Sequence, residues 1–167
     1  GQRLPASPLV IKPLAAVGQY GGTWRMGAVG GADRENFRRS IGYEPLLRWN
    51  ADYSGSYVPN VAESFTANAD GSQYTVKLRK GMKWSDGQPY TTADIKFWYE
   101  DVLLFTELTA KPDPIFITAG KTVEVVVADE TTFTFKFAGP YGFWPLRLCS
   151  NEAINLHPAH YMKQFHK

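Results

Sequence analysis

The chain predicts an α+β fold, mainly antiparallel strands with one main amphipathic helix. Three observations carry that expectation. Residues 73–79 alternate apolar and polar side chains, the period of a half-buried strand. Residues 122–137 hold two strand-like runs with a short polar break, the pattern of a hairpin. Residues 91–105 open on a capping box and continue with apolar residues at helical spacing.

In chain order, residues 1–22 carry three prolines and read as an extended lead-in, because proline fixes its own backbone and lacks a donor. Thr23 to Val29 reads as a short first strand, broken by Gly30 and Gly31. A helical turn or two is expected after it, toward Leu47. Residues 50–56 are rich in Asn, Asp, Ser and Gly and read as turns. Val61 to Thr66 is a strand, and Asn68 to Ser72 is a turn whose Asp and Gly tolerate positive φ. In the next strand Tyr74, Val76 and Leu78 face one way, and Thr75, Lys77 and Arg79 the other.

Trp84 to Gly87 forms another turn. Thr91 then caps the helix while Asp94 reaches back to it, on the positive end of the helix dipole. Ile95, Trp98, Tyr99, Val102 and Phe105 form the apolar face. Residues 106–120, with Pro112 and Pro114, are a connection. The hairpin pairs the valine-rich run Thr122 to Ala128 with Thr132 to Phe137, in which Phe133, Phe135 and Phe137 alternate with polar residues. Gly139 and Pro140 stop it. The residues after Pro158 read as a short helix.

The 167 residues suffice for one domain with a real core. The net charge is +2. Arg38 and Arg39, and the separated Lys77, Arg79, Lys80 and Lys83, read as solvated surface, so no nucleic-acid partner is expected. A single cysteine, Cys149, excludes an internal disulfide. Its apolar setting makes it a buried thiol rather than a nucleophile. No apolar run reaches the ~18 residues of a membrane span. The opening residues lack the basic start and apolar centre of a signal peptide, as in a mature or trimmed form if the protein is exported.

No enzymatic chemistry stands out. His157, His160 and His166 cluster around Pro158 without a rigid helix or further aligned ligands, so no metal is expected. No nucleophile elbow is present, and Ser85-Asp86 has no histidine near it in sequence. Glu100-Asp101 and Asp129-Glu130 are sequence neighbours, poorly placed for acid–base work. The glycine pairs form no phosphate-binding pattern, and no cofactor is implied. Trp24, Trp49, Trp84, Trp98 and Trp144 mostly read as core.

Several segments in this order resemble one family. Gly21 to Arg25 is similar to the "GGTLR" opening of its first strand, and Tyr43 to Leu47 to its "YEPL". Val58 to Ser64 resembles "xPxLAES", and Asp70-Gly71 the turn before "YTFxLR". Lys80 to Gly87, continued through Tyr90, Thr91 and Asp94, is close to "KGVKWSDGxPFTAxDV". Residues 129–137 resemble "DxxTVxFxF", and Pro158 to Phe165 "PKHYLEKF". The family is the family 5 extracellular solute-binding proteins, the oligopeptide-, dipeptide- and nickel-binding receptors of ABC importers.

The resemblance implies that the chain is part of lobe I of a two-lobed periplasmic-binding-protein fold of type II-like topology. Residues 1–45 would be the opening segment of that lobe and residues 46–167 its small subdomain, with the second lobe absent. It implies capture of a peptide or similar small solute for delivery to an ABC permease, in the periplasm or at the extracytoplasmic surface, with no reaction catalysed. Family members close two lobes on a ligand and bind much of it by backbone hydrogen bonds. The family's lobe I contacts point to the loop after the first strand, hence Gly30, Gly31 and Arg34, with Trp144 as a second position. That loop lacks the family's "LDP" wording. The ligand's identity is open, and the surface left by a missing lobe predicts self-association. A stand-alone interaction domain without ligand capture and a small hydrolase are the alternatives.

Overall fold

A computed structural model describes residues 5, 7–35, 42, 44–52 and 54–166. Strands β1 (Leu47–Trp49) and β2 (Tyr57–Pro59) form a small antiparallel pair. The main sheet contains β3 (Ala62–Ala67), β4 (Gln73–Leu78), β7 (Glu124–Val127) and β8 (Thr132–Lys136), in the order β3-β4-β8-β7. Every pairing in it is antiparallel. Between β4 and β7 come helix α1 (Thr92–Phe97) and a miniature hairpin, β5 (Ile117–Thr118) with β6 (Lys121–Thr122). Two short helices, α2 (Trp144–Leu148) and α3 (Ala159–Met162), complete the chain.

The sheet follows the alternation in the sequence. Tyr74, Val76 and Leu78 are buried, and so are Phe133, Phe135 and Phe137. Cross-strand neighbours Tyr74 with Phe135, and Val76 with Phe133, put these side chains on one face. That face meets Ile95 and Trp98 of the helical layer together with Phe116, Trp144, Leu148 and Ile154. The 68–72 turn is drawn tight by Asn68 Oδ1, which accepts the amides of Ser72 and Gln73, with Gly71 at φ +69°.

Helix α1 begins as its sequence dictates. Thr91 Oγ1 accepts the Ala93 amide, and Asp94 Oδ2 accepts the Thr91 amide at 2.9 Å. Asp94 is buried, and its other oxygen accepts the Ala159 amide at 2.8 Å, which docks the start of α3. The Thr92 hydroxyl and amide donate to the carbonyls of Asp129 and Glu130, fixing the helix to the β7–β8 turn.

The helix departs from its expected periodicity after Phe97. Residues Trp98–Leu103 are π-helical, and the Leu104 amide donates to the Tyr99 carbonyl. The wider turn rotates the apolar face. Leu103 becomes buried, whereas Val102 and Phe105 are half-exposed.

Further expectations are corrected. Residues 23–29 form no strand, because no neighbouring strand lies beside them to take up their backbone groups, and Trp24 is 72% exposed. Trp49 also stands out from the core, being 42% exposed. Strands β1 and β2, not expected from the turn-rich sequence between them, pair across it. Arg79, expected to face solvent, is buried; its Nε donates to the Asn60 carbonyl and its Nη1 to the Ser7 carbonyl. The helical turn expected after Gly31 begins as a 3-10 turn at Gly31–Asp33, while residues 36–41 lie outside the described residues.

Replacing Asp94 with Ala removes both amide contacts of a buried carboxylate and is expected to destabilise the chain by about 2–4 kcal/mol. Phe135→Ala, at a site with no exposure, is expected to cost about 3–5 kcal/mol. Urea unfolding followed by far-UV circular dichroism checks both. A loss under about 0.5 kcal/mol, the range of an ordinary surface change, would contradict the structural role given to either residue.

Candidate functional site

The segment that the sequence marks for ligand contact, Gly30 to Arg34, stands open to solvent. Gly30 is extended at φ −151°, and a side chain at either Gly30 or Gly31 would meet nothing within 4 Å. The segment is shaped instead by Asp33, whose Oδ2 accepts the Val29 and Gly30 amides at 2.7 and 3.0 Å. Those two bonds hold the Asp33 carboxyl below the usual carboxylate range. They also use up two backbone donors. The Arg34 guanidinium is 84% exposed in its side chain and lies 3.9 Å from Glu35. An exposed guanidinium suits a carboxylate or another anionic oxygen.

Trp144 lies elsewhere and is 1% exposed. Its ring centroid sits 4.9 Å from Phe135, 5.0 Å from Phe137 and 5.8 Å from Phe116, at steep interplanar angles. It is a packing residue that offers no surface to a ligand, and its Nε1 has no hydrogen-bond partner among the described residues.

A polar seam ties Glu44 and Pro45 to Asn60 and Asn155. Asn60 Nδ2 donates to Glu44 Oε2 at 2.6 Å and to the Pro45 carbonyl. Asn155 Nδ2 donates to the Glu44 carbonyl, and the Tyr90 hydroxyl donates to Asn155 Oδ1 at 2.8 Å. Burial, with the Asp94 carboxylate nearby, pushes the Tyr90 hydroxyl far above its ordinary pKa. Glu44, Tyr90 and Asn155 also line a cavity of about 210 Å³ with Met82 and Trp84. Together with the bond from Arg79 to Ser7, this seam joins the N-terminal arm to the sheet. Sequence reasoning missed it, because its partners lie up to 111 residues apart and no local pattern links them.

The histidines are dispersed rather than gathered. His160 Nε2 lies 2.6 Å from Asp86 Oδ2, and His166 Nε2 lies 2.8 Å from Asp101 Oδ1. The fold thus brings a histidine to the Ser85-Asp86 turn from 74 residues away, a pairing invisible in sequence. The Asp86 carboxyl lies below its ordinary range, chiefly because it accepts the Gln88 amide and then because of His160. Among the described residues, no hydroxyl or thiol hydrogen-bonds a histidine, and no three His, Cys, Asp or Glu side chains are grouped to hold a metal ion. No helix among them is long and apolar enough to cross a membrane.

Cys149 is buried, and its Sγ donates to the Pro145 carbonyl. Burial pushes the thiol up to about 11, so little thiolate exists in the folded chain at neutral pH. At pH 8 a disulfide reagent is expected to label the native chain at least tenfold more slowly than the urea-unfolded chain, as absorbance of the released thiolate would record. Equal rates would mean that the thiol is accessible and ionised.

Comparison with known proteins places this geometry. Residues 56–166 match the family model for bacterial extracellular solute-binding proteins, family 5 (middle). The periplasmic alpha-galactoside-binding protein of Rhizobium meliloti (strain 1021) is 30% identical over 160 residues, covering 83% of this chain and 23% of the relative. An oligopeptide-binding protein OppA of known structure superposes with a TM-score of 0.86 and 39% identity, over 99% of this chain and 25% of that one. NikA from Brucella suis, solved with Fe(III)-EDTA, superposes with a TM-score of 0.54 at 28% identity, over 68% of this chain and 22% of that one. The chain spans about a quarter of the length of these relatives. Its antiparallel sheet and main helix correspond to part of the two-lobed periplasmic-binding-protein fold. With the family model covering most of its sheet and helical layer, the chain belongs to the bacterial extracellular solute-binding proteins, family 5.

Proposed function

We propose that this chain forms part of one wall of a ligand cleft in a receptor that captures a peptide or similar small solute. The receptor passes its cargo to the membrane subunits of an ABC importer, in the periplasm or at the extracytoplasmic surface, and catalyses no reaction. The observation that carries this reading is the superposition of almost the whole chain on an oligopeptide-binding protein at 39% identity. The family is one of binding proteins rather than enzymes. Residues 1–45 act as the opening segment of lobe I and residues 46–167 as its small subdomain. A second lobe, belonging to the remaining length typical of the relatives, closes the cleft.

Within this reading Gly30 and Gly31 keep the open segment slim enough for close backbone approach. Arg34 pairs with an anionic end or carbonyl of the solute. Trp144 contributes only by stiffening the sheet behind them. The apolar side chains of the arm, including Val10, Leu14, Val17 and Val29, are 69–103% exposed and favour contact with a second copy when the chain stands alone.

Titration calorimetry with a set of short peptides tests the proposal on a receptor carrying this sequence at the length of its relatives. Binding is expected, with affinity about tenfold lower in Arg34→Ala, the loss of one ion-paired hydrogen bond. The 167-residue chain alone is expected to bind at least a hundredfold more weakly, since no second lobe closes over the solute. Hydrolysis of the peptides, or equal affinity of the short and long forms, would overturn the reading. Sedimentation velocity on the short chain is expected to show mass rising with concentration; a fixed monomer would remove the self-association.

A further inference from the structure

Between the π-helical turn, the loop after it and α3 lies a groove of about 570 Å³, a volume in the range of small-molecule sites. It is remote in sequence from the Gly30–Arg34 segment and is not used by the proposed receptor function. Phe97, Phe105, Phe165 and Met162 supply its apolar walls. Phe97 is buried, Phe105 half-buried and Phe165 exposed, so the groove runs from the core to the surface.

Its charge is one-sided. None of the lining residues is Lys or Arg. Asp101 and Glu107 both line it; Asp101 is held by His166, whose ring stands edge-on to Phe97 and Phe105 at 5.9 and 4.9 Å. Glu107 is exposed and makes no ion pair or hydrogen bond among the described residues. The remaining titratable wall is His157, whose pKa burial lowers against a backbone hydrogen bond with Ala153.

We infer that this groove is a binding site for a small organic cation, an ammonium group carried on an aromatic or branched apolar body. Aromatic faces attract such cations through their quadrupoles, most strongly where water is partly excluded. The Glu107 carboxylate supplies the matching charge at the open end, and the phenylalanines and Met162 take the apolar body. A neutral ligand of the same shape gains only the apolar part.

The test uses 2-phenylethylamine and 2-phenylethanol, which differ in charge and little in shape, on chain carrying ¹³C-methyl methionine. Met162 is one of only three methionines, and Met26 and Met82 serve as internal controls. The amine is expected to shift the Met162 methyl signal saturably and to bind at least tenfold more tightly than the alcohol. Glu107→Gln, a change at an exposed position, is expected to cut the difference between the two at least fivefold. Phe105→Ala is expected to weaken both. An unmoved Met162 signal, equal binding of amine and alcohol, or a Glu107→Gln variant with the full difference would each overturn the inference. These results are read without any peptide, so they stand or fall separately from the receptor function.

Discussion

The buried carboxylate of Asp94 is the joint on which the molecule turns. One oxygen closes the first turn of α1 through the Thr91 amide, and the other receives the Ala159 amide from a segment 65 residues on. Beside it, Thr92 fastens the same helix start to the β7–β8 turn. Three parts of the chain therefore meet within one helical turn. Backbone donors to both oxygens replace the water that the carboxyl gives up on burial. The positive end of the helix adds to the same effect. Position and charge are thus set by one residue type, and neither Ala nor Asn could supply both acceptors with charge.

The second organising element is aromatic. Trp144 sits among Phe116, Phe135, Phe137 and Tyr141, and Trp98 reaches the same group through Phe116. The rings meet mostly edge to face, the arrangement that their quadrupoles favour. This cluster lets a small sheet and short helices make a core. It also explains why Trp144 is structural here. Its face is spent on neighbouring rings.

What the sequence disclosed and what it hid divide along physical lines. β4, the β7–β8 hairpin, the 68–72 turn and the cap of α1 are local: each rests on a period or a side-chain bond spanning a few residues. The strand expected at 23–29 failed because a strand is a relation between two segments, and its own residues say nothing about a neighbour. β1 and β2 escaped notice for the converse reason, being three residues each, too short for an alternation to register. Arg79 looked like surface because its carbonyl partners, Ser7 and Asn60, carry no sequence signal. The π-helical turn moved Leu103 inward where a 3.6-residue period put Val102. The seam from Glu44 through Asn155 to Tyr90 and the pairing of His160 with Asp86 required the fold, whereas Gly30, Gly31 and Arg34 were singled out by family resemblance alone.

The strand order carries a consequence for how the chain emerges during synthesis. β4 lies between β3 and β8, and its partner Thr134 stands 59 residues beyond Thr75. At about 5–20 residues per second, the ribosome delivers β8 roughly 3–12 s after β4. Throughout that interval β3 and β4 form a two-stranded hairpin, which is marginal in water, with the second pairing edge of β4 unfilled. The phenylalanine-rich strand that finally seats against them thus sets the earliest moment at which the nascent sheet can hold its shape, and until then the chain presents a short apolar edge suited to a chaperone's grip.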